Sequence, residues 1–82
     1  MRTFLLKVVK PDKTVFEGNA EYCRFTTPEG EMGVKAHHEQ FMAVLKDNST
    51  LLYRSSSGKE SEIKILNGIL TFKNNTCTVL IS

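Results

Sequence analysis

A period of two runs through the chain and constrains its fold more than any other feature. Phe4, Leu6 and Val8 alternate with Leu5, Lys7 and Val9. Glu21, Cys23 and Phe25 oppose Tyr22, Arg24 and Thr26, and Cys77, Val79 and Ile81 alternate with Thr78 and Leu80. Successive side chains of a strand point to opposite faces, so such runs read as strands with one buried face. Thr14-Val15-Phe16-Glu17-Gly18, Leu51-Leu52-Tyr53-Arg54, Ile63 to Leu66, and Ile69 to Phe72 supply further short segments. Turn residues separate them: Pro11-Asp12-Lys13, Pro28-Glu29-Gly30, Ser55 to Lys59, Asn67-Gly68 and Asn74-Asn75. Asn-Gly is a strong signal for a tight turn or bulge. The even spacing predicts an all-β chain, a two-sheet β-sandwich or flattened barrel of about 8–10 short strands. No helix longer than two turns is expected.

One stretch reads two ways. Val34, His38, Phe41 and Leu45 fit one helical face, while Phe41, Ala43 and Leu45 also alternate against Met42 and Val44. Ala36, Glu39, Gln40 and Met42 are helix formers, so pattern alone leans to helix here.

Length and charge narrow the function. The 82 residues permit one domain, spanning 1–82. A chain of this size buries only about 60–65% of the surface its unfolded form exposes, which leaves it marginal on its own. Its 11 basic and 9 acidic residues are interleaved and leave a net charge of +2. No basic run builds a phosphate-binding stripe, which argues against nucleic acid as a partner. The opening Met1-Arg2-Thr3-Phe4-Leu5-Leu6-Lys7 has too short an apolar run for an export signal. Nothing approaches a transmembrane helix. A reducing compartment follows as the expectation, with Cys23 and Cys77 as buried free thiols rather than a disulfide. Asn48-Ser49-Thr50 and Asn74-Asn75-Thr76 match the glycosylation sequon but carry no weight without an export signal.

No catalytic or metal-binding constellation emerges. His37-His38-Glu39 lacks the spacing that brings two imidazoles to one ion, because neighbours on a strand face opposite ways. Ser57-Gly58-Lys59-Glu60 resembles the tail of a P-loop, but Tyr53 replaces the upstream glycine and Glu60 the hydroxyl. Gly30-Glu31-Met32-Gly33 has the spacing of a GxxG loop, yet Glu29 and Glu31 would repel phosphates. Cys23 sits among apolar residues, where a thiolate is destabilised. No cofactor, metal or catalytic residue is therefore expected.

The order of these segments resembles the ε subunit of F-type ATP synthases. Leu6-Lys7-Val8-Val9, Pro11 and Val15-Phe16-Glu17-Gly18 resemble that family's opening hairpin. Glu29-Gly30-Glu31-Met32-Gly33-Val34, followed by His38, resembles its Gly-Glu-x-Gly-Ile turn leading to Pro-Gly-His. Asn67-Gly68-Ile69-Leu70 and Thr78-Val79-Leu80 resemble its Gly-Gly-aliphatic and Val-Thr-Val-Leu segments. The match runs over essentially the whole chain. Lys35-Ala36-His37-His38-Glu39-Gln40 departs from the family's Leu-Pro-Gly-His-Ala-Pro, keeping only the second histidine.

The resemblance implies a loop and then a strand over the ambiguous stretch. It also implies a non-catalytic central-stalk subunit that binds the γ subunit and the c-ring and couples proton transport to ATP synthesis. Such a subunit works at the cytoplasmic face of the bacterial inner membrane, attached only through the complex. His38, Phe41 and Met42 become the γ-interface candidates, against a plain core role for Phe41 and Met42. Glu29 and Glu31 become the c-ring candidates, against two solvated acids on a turn. Many family members continue into a C-terminal helical hairpin; this sequence stops at Ser82, which implies that no hairpin is available to restrain hydrolysis. Two other readings stay open: a free-standing β-sandwich adaptor that binds a peptide at a sheet edge, and an oligonucleotide-binding barrel. The second lacks stacking aromatics interleaved with Lys/Arg clusters.

Overall fold

Alternating runs become strands wherever the turn chemistry lets the chain reverse. In the computed structural model, which describes residues 2–82, there are eight strands and, among the described residues, no helix. They are β1 (Phe4–Lys10), β2 (Lys13–Thr27), β3 (Gly30–Lys35), β4 (Phe41–Leu45), β5 (Ser49–Ser55), β6 (Glu60–Ile65), β7 (Gly68–Lys73) and β8 (Thr76–Ile81). The stretch that reads two ways is thus the end of β3, a loop, and then β4. Its helix formers are outvoted by the burial of Leu45 and the half-burial of Phe41 and Ala43 against the core.

The reversals follow the side chains. Asn74 and Asn75 both adopt left-handed backbone, with φ of 53° and 57°, between the paired Lys73 and Thr76. Two such residues make the tight turn whose twist matches a hairpin, and Asn tolerates it. Pro28 and Glu29 link the paired Thr27 and Gly30. The buried Thr27 hydroxyl donates to the Gly30 carbonyl at 3.0 Å and accepts from the Glu29 amide at 3.1 Å, so its polar atom is satisfied. Asn67-Gly68 is not a hairpin turn. β6 pairs with β5, while β7 pairs with β4 and β8, so this dipeptide is a bend carrying the chain between layers. Glycine is needed for close approach: a Cβ on Gly68 would lie 2.6 Å from the Leu80 carbonyl oxygen.

The strand order is β4-β7-β8-β1-β2-β5-β6, with β3 also on β2. All neighbours are antiparallel except β1 and β8, which run parallel. The segments expected as two strands, 14–18 and 21–26, are one strand of 15 residues. Its first half pairs with β1, its second with β3 and β5, and the register shifts between Ala20 and Tyr22. A bulge bends a strand locally, so β2 belongs to both layers and the sandwich is one sheet folded over. The Lys46 amide donates to the Thr26 carbonyl at 2.9 Å and ties the end of β4 back to β2.

Between the layers lie Phe4, Leu6, Val8, Cys23, Phe25, Leu51, Ile65, Leu70, Phe72 and Val79, all but inaccessible to solvent. Phe4 meets Phe72 edge-on at 5.6 Å, and Phe16 packs on Tyr53 at 4.4 Å. Each such side chain contributes about 1.5–3 kcal/mol on burial. Cys23 and Cys77 are both free and buried, with their thiols beside each other. That contact, followed by burial, pushes the Cys23 thiol far above its ordinary range.

Candidate functional site

Two surfaces stand out, the first because it departs from the usual alternation of apolar inside and polar outside. The first is the outer face of β4, β7, β8 and β1. Phe41-Met42-Ala43-Val44-Leu45 is apolar in both phases, and so are Ile69-Leu70 and Val79-Leu80-Ile81. Leu45, Leu70, Val79 and Ile81 fill the core, which sends Met42, Val44, Ile69 and Leu80 outward. Cross-strand register aligns them: Val44 opposes Ile69, Ile69 opposes Leu80, and Leu80 opposes Val9. Met42 at 69% exposure, Val44 at 60%, Leu80 at 55% and Ile69 at 42% form an aliphatic row across the sheet. Val44, Ile69 and Leu80 line a groove of about 410 Å³ with Asn67, Gly68 and Ser82. A contiguous apolar row in water, as opposed to scattered exposed leucines, marks an interaction surface.

The expected γ-side residues adjoin this row but play unlike parts. Met42 lies wholly on the outer face. Phe41 turns inward and is half-buried, stacked on Phe25 at 6.4 Å and on Phe72 at 6.2 Å. His38 is exposed in the loop before β4, its ring edge-on to Phe41 at 4.9 Å. Its Nδ1–H donates to the Glu39 carbonyl at 2.8 Å, which leaves Nε2 to a partner. The loop is fixed from below. His37 has φ of 64°, and its amide donates to Asn75 Oδ1 at 2.7 Å. Asn75 Nδ2 in turn donates to the Thr3 carbonyl at 3.0 Å.

The acidic pair sits on the β2–β3 hairpin, with both carboxylates exposed. Glu29 is at the tip and lines a groove of about 300 Å³ with Met32, Phe41, Met42 and Val44. Glu31 is on β3 opposite Thr26. The structure therefore brings Glu29 beside Met42 and does not bring Glu31 into that groove. Sequence reasoning missed Val44, Ile69 and Leu80; the signal was there, since strands apolar in both phases need cover on both faces.

The second surface is a cleft over β5, β2 and β3. Tyr22 stands at its centre, opposite Arg54 on one side and Lys35 on the other; two pairs along, Arg24 lies between Leu52 and Gly33. Glu60 organises the group. It accepts from the Tyr22 hydroxyl at 2.7 Å and from Arg54 at 2.8 Å, and Arg54 lies over the Tyr22 ring at 4.9 Å. The hydrogen bond from Tyr22, then that from Arg54, holds the Glu60 carboxyl below its usual range. The bond to Glu60 raises the Tyr22 phenol and the Arg54 guanidinium. Among the described residues, no group of His, Cys, Asp and Glu could hold a metal ion.

Comparison with known proteins gives the fold a family. The sequence profile described as "ATP synthase, Delta/Epsilon chain, beta-sandwich domain" matches residues 3–82. The chain is 39% identical over 80 residues to an ATP synthase epsilon chain of Clostridium novyi (strain NT), covering 98% of this chain and 59% of that protein. It is 31% identical over 80 residues to an ATP synthase epsilon chain of Caldicellulosiruptor bescii, covering 98% and 57%. It therefore spans less than two thirds of the length of these relatives. Among solved structures, a chain of the Euglena gracilis mitochondrial ATP synthase, "OSCP/F1/c-ring in rotational state 1", superposes with a TM-score of 0.88. Identity there is 22%, over 96% of this chain and 50% of that one. A chain of the Tetrahymena thermophila mitochondrial ATP synthase, "central stalk/cring", gives 0.79 at 17% identity, over 94% and 61%. At those identities the likeness is one of fold. With the profile and the bacterial relatives aligning over nearly the whole chain, the chain belongs to the ATP synthase delta/epsilon family, as its β-sandwich domain.

Proposed function

We propose that this chain is a non-catalytic element of an ATP synthase central stalk, holding the γ subunit on one face and meeting the c-ring through the acidic hairpin. The observation that carries the reading is the aliphatic row Val44–Ile69–Leu80, flanked by Met42, on a sheet face that a free-standing sandwich would make polar. A rotor element must hold its shaft permanently, and permanent interfaces are apolar at their centre. Met42 supplies a large adaptable anchor, and His38 offers a hydrogen bond at the rim. Family membership and the bacterial relatives support the assignment, and with it a peripheral place at the cytoplasmic face of the inner membrane. Glu29 and Glu31 stand exposed on a two-residue hairpin, where charge-assisted contacts to basic ring loops form without disturbing the core. Coupling then depends on both surfaces while chemistry stays elsewhere in the complex.

Co-elution with purified γ subunit tests the row. Val44→Glu and Leu80→Glu are expected to abolish it while leaving the far-ultraviolet circular dichroism spectrum unchanged. Undiminished co-elution of both variants would refute the γ assignment. For the hairpin, Glu29→Gln with Glu31→Gln should weaken ATP-driven proton pumping in reconstituted vesicles at unchanged stability. Lost stability with intact pumping would make the acids structural.

A further inference from the structure

The cleft over β5, β2 and β3 shares only His38, and Glu31 at its rim, with the surfaces proposed above. It encloses about 610 Å³ and is lined by Tyr22, Arg24, Gly33, Val34, Lys35, His38 and Arg54, with no carboxylate in the wall. Arg54 is committed to Glu60 at 2.8 Å and lies 3.9 Å from Glu21. Arg24 and Lys35 have no carboxylate partner among the described residues. They reach into the cleft from adjacent strands, two residue pairs apart and so on the same face, across a floor that Gly33 leaves bare. A Cβ on Gly33 would meet nothing nearer than the Cys23 carbonyl at 3.8 Å, so the bare floor is open space rather than a packing demand. Glu31 marks one rim, opposite Thr26, and Glu60 the other. The cleft is thus cationic inside and bounded by acids, which selects for a narrow anionic insert over a broad anionic surface.

We propose that this cleft is a docking site for an acidic segment of a protein partner, an extended stretch carrying carboxylates at alternate positions. Diagonal neighbours on an antiparallel pair lie about 7–8 Å apart, which fits Arg24 and Lys35. Carboxylates two residues apart on an extended strand are separated by about 7 Å. One acid meets Arg24, which can grip it bidentately, and the next meets Lys35 as a point charge. The Tyr22 ring, held by Glu60 beneath Arg54, gives the segment's backbone a flat wall. The assignment rests on Arg24 and Lys35, which neither the aliphatic row nor the γ reading uses.

The test is an amide NMR titration of the chain at low salt with a seven-residue peptide bearing Glu at alternate positions, beside its Gln counterpart. Saturable shifts are expected at Tyr22, Arg24, Gly33 and Lys35, weaker at higher ionic strength and absent with the Gln peptide. Arg24→Gln with Lys35→Gln should weaken binding roughly three- to tenfold. Gly33→Glu, which puts a carboxylate on the floor, should abolish it. Lys10→Gln with Lys13→Gln, an equal loss of charge at the far hairpin, should leave it unchanged. Equal weakening by the two double variants would reduce the effect to net charge and overturn the proposal. So would the same shifts from inorganic phosphate at equal concentration, or tighter binding of a single-stranded oligonucleotide than of the peptide.

Discussion

Gly68, on the interior strand β7, and Gly33, on the edge strand β3, answer opposite demands. A methyl on Gly68 meets the Leu80 carbonyl oxygen at 2.6 Å and Ile81 Cγ2 at 2.9 Å, so β8 must move. Gly68→Ala is expected to cost about 1–3 kcal/mol, the range of overpacking. Gly33→Ala should stay within about 0.5 kcal/mol, as surface changes do. Urea midpoints at constant slope check both. Asn75 separates backbone from side chain in a similar way. Asn75→Gly keeps the left-handed turn but loses the bonds to His37 and Thr3, at about 1–2 kcal/mol. Asn75→Ala should cost about 1 kcal/mol more, because alanine resists φ near 57°. In both variants, faster exchange of the His37 amide would show the loop before β4 released. Tyr22 and Glu60 add a pH signature. The Tyr22 phenol is raised, so its contribution is full below the ordinary phenol pKa and is lost as pH rises through the higher folded value. Glu60 is lowered, so its share is present above the ordinary carboxyl pKa and is lost as pH falls through the lower folded value. Titration of ring-labelled tyrosine by NMR should place Tyr22 above free tyrosine, and Glu60→Ala should bring it back down.

At the scale of the strand, adjacent residues on β7 carry separate duties. Leu70→Ala opens the core and is expected to cost about 2–5 kcal/mol. Ile69→Lys, one position away on the outer face, should leave stability within about 1 kcal/mol while abolishing γ binding. Thermal unfolding and co-elution, measured on both variants, separate the two effects. The same division explains what was legible beforehand. Inward phases such as Phe4-Leu6-Val8 and Cys77-Val79-Ile81 declare themselves by alternation, and the asparagine turn declares its hairpin. The union of 14–18 with 21–26 into one strand did not, because a bulge is one extra residue that a period-two reading takes for a break. Asn67-Gly68 misled for a related reason: its glycine answers the backbone of β8, a contact distant in sequence. The aliphatic row was half visible. Met42 stood out as an anchor, but linking it to Ile69 and Leu80 needs the pairing of β4 with β7 and β7 with β8.

Across the whole molecule, one core is shared by both layers, and the two cysteines report on it from strands far apart in the sequence. Cys23 lies on β2 beyond its bend and Cys77 on β8, yet they meet inside the sandwich. β8 is held between β7 and β1, and β2 at Cys23 between β3 and β5, so neither thiol lies on an edge strand that could fray alone. Exposing either requires the layers to part, which removes Phe4, Phe25 and Phe72 from one another's company. Small single domains of this kind unfold all-or-none. Reaction with a thiol reagent should therefore be slow for both cysteines in the native chain. Their rates should rise together with urea, along the same slope as global unfolding measured by circular dichroism. Raising pH within the stable range should accelerate labelling of Cys23 only through the solvent-exposed unfolded thiolate, because the neighbouring Cys77 thiol and burial hold the folded Cys23 thiol protonated. If Cys77 reacts well before Cys23, β8 detaches as a unit and the core is not a single cooperative body. Joint protection, by contrast, would mean that the aliphatic row, which spans β4, β7, β8 and β1, is presented to its partner on a rigid frame.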